Sequence, residues 1–434
     1  MNRRRTGVHG SLGAAAALLA GCLNNVVTVA DERADAATSE SPAEGAGAVD
    51  LLVVIDNSGS MRVGQDSFNN YASALTSALV EQHGARDVRV GVISTDLGTG
   101  GAAPLPGCAA PNGDDAVLNP RARGEGTRGR SLAELPAPIF CGGFESSPFI
   151  TLRASDDAML RYWAPSCHAT LGTAGCGVEQ PLEAALRALT SQAGASGPNA
   201  GFLRRDAVLA VLVVSDEDDG SVRDCRQHDG VGPCVDARSV WDPSASEWAH
   251  PDLNLRFYMY SPQSAQDPTW PVDRYVDPQR LNRGLLGLKP GHPERVVFGA
   301  VTGVPLALPT RADGGTDWRA LLGASPDGRD GYAGDSAEGR VSMRAADLDP
   351  ACPTRVVPAC RARGSDALRA GCDLASQYYA WPARRLAEVA RRLDESVLCG
   401  GAPCRNGMVA SICDAGDSSP LSRFAGMVAR RIVR

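Results

Sequence analysis

Lysine is almost missing from this 434-residue chain: Lys289 is the only one, and every other basic side chain is arginine. We read this as the codon bias of a GC-rich bacterial genome, not as a use of arginine. Aromatic residues make up only 5% of the chain, whereas glycine (48) and proline (29) are plentiful, which points to many loops. The formal net charge of -7 leaves no basic surplus, so nucleic acid is not an expected partner. No C-x-x-C occurs and no histidine stands at zinc-finger spacing from a cysteine pair, which argues against zinc. There is no G-x-S-x-G elbow, no H-E-x-x-H and no G-x-x-x-x-G-K-[ST], and no G-x-G-x-x-G follows a strand. Those absences disfavour the α/β-hydrolase, zinc-peptidase and nucleotide-binding classes.

What is present begins at the N-terminus. Arg3, Arg4 and Arg5 precede a short apolar run, Ser11 to Ala20, which is too short to span a bilayer as a stable helix. Leu19-Ala20-Gly21-Cys22 follows and resembles a bacterial lipobox. The expectation is a lipoprotein signal peptide over 1–21, cleaved before Cys22, with lipid on the Cys22 sulfur anchoring the chain to a membrane. Leu23 is not aspartate, which points to the outer membrane if the cell is Gram-negative. Residues 22–48 then carry no periodic apolar pattern and read as a disordered tether. Of 13 cysteines, removing Cys22 leaves an even set, as expected for disulfides in an oxidising compartment. Most sit as close neighbours: Cys167 with Cys176, Cys225 with Cys234, Cys352 with Cys360, Cys399 with Cys404. Cys108 with Cys141 and Cys372 with Cys413 could pair as well, but sequence does not determine connectivity.

Continuous apolar runs predict buried strands at "VDLLVVID" (49–56), "VRVGVISTD" (88–96), "AVLAVLVVSD" (207–216), "ERVVFGAVTG" (294–303) and "GMVASICD" (407–414). Helical spacing predicts helices over 68–84, 179–192, 381–394 and 419–433, the last with Pro420 in its first turn. Alternation of such strands with helices indicates an α/β fold with a mostly parallel central sheet. Residues 49–434 read as one domain carrying two irregular, cysteine-containing insertions, at about 97–165 and 303–375. The alternative is a small second domain folded from 303–375. The acidic, glycine-rich segment 327–339 lacks EF-hand spacing and reads as a surface loop, with weak calcium binding as the alternative.

Residues 53–61, VVIDNSGSM, carry the chemistry. A buried strand runs straight into Asp56, and Ser58 and Ser60 follow at alternate positions. A buried carboxylate without partners is costly. Alternate residues in an extended segment share a side, so one carboxylate and two hydroxyls form a set of hard oxygen donors suited to Mg²⁺ or Ca²⁺. The other reading is a set of turn-forming residues. "DNSGSM" resembles the D-x-S-x-S signature of the von Willebrand factor A domain, whose metal-ion-dependent adhesion site sits on a Rossmann-like sheet. That resemblance implies a threonine from a second loop and an aspartate after a later strand. "LGTAGCGVEQPLEAAL" nominates Thr173, with Thr170 as fallback, and "VLVVSDEDD" nominates Asp216. The chain departs from the family pattern after Asp216, where Glu217, Asp218 and Asp219 stand before Gly220. This run reads as a solvated acidic loop; the alternative is added charge favouring calcium or a second cation.

The resemblance implies a binding module, not an enzyme. A lipid-anchored domain would hold a divalent cation, and an aspartate or glutamate from a protein ligand would complete its shell. The alternatives are an envelope protein whose metal only stabilises the fold, and a metal-assisted hydrolase using Glu217 or Asp218 as base.

Overall fold

The computed structural model describes residues 47–100, 108, 110–119, 147–225, 235–242, 267–325, 328–336, 339–344, 347–349, 352–361, 378–414 and 417–432. The expected signal peptide, Cys22 and nearly all of the tether lie outside these residues. Among the described residues no helix is long and apolar enough to cross a membrane.

Six strands form the central sheet: β1 Ala48–Ile55, β2 Asp87–Ser94, β3 Phe149–Leu152, β4 Val208–Val214, β5 Val296–Thr302 and β6 Gly407–Ser411. Their spatial order is β6-β5-β4-β1-β2-β3. All neighbours are parallel except β2 and β3, which are antiparallel. The five apolar runs are thus the five parallel strands. β1 and β4 are buried at every residue, as parallel strands covered on both faces must be.

Helices cover both faces. α1 Arg62–Ser77, α2 Ala158–Ala169 and a C-terminal helix, α5 Ser419–Ala429, lie on one side; α3 Pro181–Leu189 and α4 Arg384–Glu395 lie on the other. The period-2 alternation of strand side chains builds the two cores. Leu51, Val53 and Ile55 pack with Phe68, Leu75 and Phe424, while Leu52 and Val54 pack with Leu182, Leu189 and Leu386. The architecture is an α/β fold with a mostly parallel sheet.

Two elements depart from the expectations. The segment 97–165 is not irregular throughout: it supplies β3 and most of α2. Four residues of half-exposed strand and a helix interrupted by Pro165 leave too short a periodic signal to read. α1 begins six residues before the apolar spacing does, because polar Gln65 is buried in its first turn and bonded to backbone carbonyls. The described residues of the second insertion form short pieces: a hairpin of Ala333–Ser336 with Gly339–Ser342, a bulged pair of Leu348–Asp349 with Cys352–Val356, and a five-residue helix at Trp318–Leu322. The hairpin takes up part of the expected 327–339 loop. Within that loop, Asp330 accepts the N–H groups of Ala324 and Ser325.

Disulfides join Cys108 to Cys176, Cys360 to Cys413 and Cys399 to Cys404; Cys167 and Cys225 are also disulfide-bonded. Among these three, Cys399–Cys404 follows the close-neighbour pattern; Cys234, the expected partner of Cys225, lies outside the described residues. Cys176 does not pair with Cys167, Cys360 does not pair with Cys352, and the suggested 108–141 and 372–413 pairs are excluded. Bonding needs α-carbons within about 7 Å, and the fold brings together loops that are 68 and 53 residues apart.

The single lysine is structural. Lys289 is fully buried beside Asp50, 3.7 Å away, at the start of β1. Arg204 makes the stronger contacts there, with its side-chain Nε and its backbone N–H each 2.7 Å from an Asp50 oxygen.

Candidate functional site

The first motif lies where β1 leaves the sheet. The N–H of Asp56 still bonds the carbonyl of Val214 at 2.9 Å, so parallel pairing with β4 runs one residue past β1 and seats Asp56 between the two strand ends. The Asp56 side chain is fully buried. One carboxylate oxygen accepts the N–H of Ser58 at 2.8 Å, a local Asx turn, and the other accepts the hydroxyl of Ser215 at 2.8 Å. Ser58 Oγ lies 3.0 Å from Ser60 Oγ, and Ser60 Oγ donates to Asp216 Oδ1 at 3.1 Å. Asp56, Ser58, Ser60 and Asp216, drawn from two loops 156 residues apart, therefore meet in one hydrogen-bonded set. Ser215, which links the two loops at Asp56, was not foreseen; as the residue before Asp216 it reads as part of the strand.

A third loop, 170–180, is fastened beside the first. The Gln65 amide donates to the carbonyls of Asp56 and Gly172, both at 2.7 Å. The N–H of Gly175 donates to the Asn57 carbonyl at 2.7 Å. A β-carbon at position 175 would lie 2.2 Å from Asn57 Oδ1, so a larger residue there would have to displace the Asn57 amide. Thr173 sits on this loop and is half-buried, but it is not part of the hydrogen-bond chain joining the other four residues. The fallback, Thr170, is engaged elsewhere: its hydroxyl donates to the Ser166 carbonyl at 2.9 Å at the end of α2.

The same loop contributes a carboxylate the motif did not foretell. Glu179 is buried, with one oxygen accepting the Thr95 hydroxyl and Oε1 without a hydrogen-bond partner among the described residues. In the sequence it stands two residues before α3, where an acidic residue reads as complementing the positive end of a helix. Only tertiary placement reveals it as a neighbour of Asp56.

Electrostatics follow from this crowding. Burial pushes the Asp56 carboxyl above its usual range, opposed by the Ser58 N–H and the hydroxyls of Ser58 and Ser215. Burial, then the charges of Asp56 and Glu217, hold Glu179 well above the usual range. Asp216 is held well above it by burial, Asp56 and Glu217. A site in which three carboxyls all resist ionisation is one that a cation would relieve.

The acidic run after Asp216 is not solvated. Asp219 is 1% exposed and accepts Arg385 Nε at 3.0 Å and Nη2 at 2.9 Å. Asp218 accepts the N–H groups of Arg385 and Leu386 at the start of α4, and burial pushes its carboxyl up to about 6. Both side chains anchor α4 to the end of β4. Sequence reading missed this because the partner lies 166 residues away.

Among the described residues no three histidine, cysteine, aspartate or glutamate side chains are placed to hold a metal by themselves. Any cation here would be shared between the carboxylates of Asp56 and Asp216 and the hydroxyls of Ser58 and Ser60. The donors are all hard oxygens and two are buried acids, which fits Mg²⁺ or Ca²⁺ and not a soft metal. No family model matches the chain, and no curated protein matches it.

Proposed function

We propose that this chain is a von Willebrand factor A-type binding module, exported and held at the bacterial cell envelope by lipid on Cys22, that binds a protein ligand through a divalent cation. The observation that carries the reading is the Asp56–Ser58–Ser60–Asp216 set. It supplies the family's first motif and its later aspartate on adjoining strand ends, in a strand order of β3-β2-β1-β4-β5-β6. In open α/β sheets ligands bind outside the carboxyl ends of the strands where the order reverses, and here that point lies between β1 and β4. Asp56, Ser58, Ser60 and Asp216 would hold Mg²⁺ or Ca²⁺, with Thr173 close by on the third loop and Glu179 adding negative charge. An aspartate or glutamate from the partner would complete the shell, so binding would be metal-dependent.

This reading makes the protein a binder and not an enzyme. The alternative is a metal-assisted hydrolase with Glu217 or Asp218 as base, and of these two Asp218 is committed to the N-terminus of α4. The experiment is a pull-down of envelope proteins by the full-length chain with Mg²⁺ and Ca²⁺ or with EDTA. A partner retained with cation, released by EDTA and lost in Asp56→Ala supports the reading. Partners indifferent to both EDTA and the substitution refute it.

A further inference from the structure

A strap that follows the second insertion crosses the carboxyl edge of the sheet beside this site. Tyr379–Ala380 pairs antiparallel with Cys360–Arg361, and Cys360 is bonded to Cys413, just beyond β6. The N–H of Trp381 donates to the backbone carbonyl of Asp216 at 2.7 Å, and the N–H of Ala383 donates to the Gly303 carbonyl at 2.9 Å. The strap is thus tied to the aspartate after β4 and to the loop after β5.

Its first residue, Tyr378, packs its ring on the core that includes Met61 and Phe68. The hydroxyl lies against the first turn of α1, which follows the loop of Ser58 and Ser60: a β-carbon at Gly64 would lie only 2.7 Å from Tyr378 Oη. Glycine at position 64 leaves the hydroxyl its room. The oxygen is buried and has no hydrogen-bond partner among the described residues. Burial and the charges of Asp216 and Asp56 keep it protonated. A buried hydroxyl with no partner costs about 1–3 kcal/mol, and phenylalanine would fill the same space without that cost.

We propose that Tyr378 is a positioning residue of the cation site, its hydroxyl hydrogen-bonding a water in the shell of the ion held by Asp56 and Asp216. This rests on the cation-binding reading above. It gives the strap a role in tuning metal affinity, because outer partners orient and strengthen a metal's inner ligands. A neutral phenol suits that position: it can donate or accept without adding another negative charge to three crowded carboxyls.

The test is calorimetric titration of the full-length, disulfide-intact protein with MgCl2 and separately CaCl2, for wild type, Tyr378→Phe and Tyr379→Phe. Tyr378→Phe is expected to weaken the affinity by about 10–100-fold, the usual effect of losing an outer partner. Its cation-free melting temperature should stay equal or rise, because only an unpartnered hydroxyl is removed. Tyr379→Phe should bind as wild type does. Cation should also perturb the tyrosine ultraviolet absorption of wild type and not of Tyr378→Phe. Equal affinities for wild type and Tyr378→Phe overturn this inference alone. A wild-type protein that binds neither cation overturns it together with the function it rests on.

Discussion

Replacing Asp56 by asparagine tests the electrostatics of the site. Asp56, Glu179 and Asp216 all keep protons to higher pH than free carboxyls do. Between the unfolded value and the raised folded value, the native chain binds more protons than the unfolded one, so cation-free protein loses stability as pH rises through that window. Each unit of displacement corresponds to about 1.4 kcal/mol. A cation at 100 times its dissociation constant adds about 2.7 kcal/mol back, a rise on the order of 5 °C for a domain of this class. In EDTA the melting temperature should fall as pH is raised from the ordinary carboxylate range. Mg²⁺ or Ca²⁺ should restore it most at the upper end, where protons no longer compete for the carboxylates. In Asp56→Asn the side-chain oxygen can still accept the Ser58 N–H, and the new amide can donate to the Ser215 hydroxyl, whose contacts with Asp56 are both 2.8 Å. The variant should therefore fold, melt at or above wild type in EDTA near pH 8, and show no cation increment. Scanning calorimetry across pH, with EDTA and with each cation, reads all of this. A wild type whose melting ignores both cations throughout, or an Asp56→Asn protein that keeps the full increment, would refute the reasoning.

Arg385→Ala should lower stability by about 3–5 kcal/mol in chemical denaturation, because it strands Asp219 as an unpaired buried charge and removes bonds to Thr269 and Trp270 as well. A loss under about 1 kcal/mol would show that the Asp219–Arg385 pair contributes little net stability. Lys289 contrasts with this: burial brings its ammonium down to about 8. The unfolded chain binds that proton more tightly than the folded one, a penalty present at pH 7 that fades as pH rises from 8 toward 10.5. Lys289→Met should accordingly be neutral or stabilising at pH 7, since Arg204 still holds Asp50, whereas Arg204→Met should destabilise strongly; the reverse ranking in urea melts would contradict this assignment. Cys22→Ser should abolish incorporation of a fatty-acid label in vivo, and a variant that still takes up label would overturn the lipid anchor.

Sequence alone determined the parallel strands and the core of the site, and the reason is that both signals are local. A strand covered on both faces is apolar almost throughout, so β4 was visible as an unbroken run, β1 as one broken only by the ion-paired Asp50 and β5 as one ending in Thr302. Asp56, Ser58 and Ser60 lie within five residues of one another, and the turn that presents them is encoded in the same stretch. Tertiary structure decided the rest, because those contacts join residues far apart in the chain. Ser60 meets Asp216 across 156 residues and Asp219 meets Arg385 across 166. The acidic run could be read as solvated only because its arginine was out of view. Glu179 lay unremarked in the predicted helix 179–192, and only the loop fastened by Gln65 and Gly175 brings it near Asp56. Cysteine pairing was illegible for the same reason, since the spacing of Cys167 and Cys176 carries no information about the loop that brings Cys108 to Cys176. Tyr378 sits in a segment with no periodicity, and its position beside the site follows only from a strap held by a disulfide and by the backbone of Asp216.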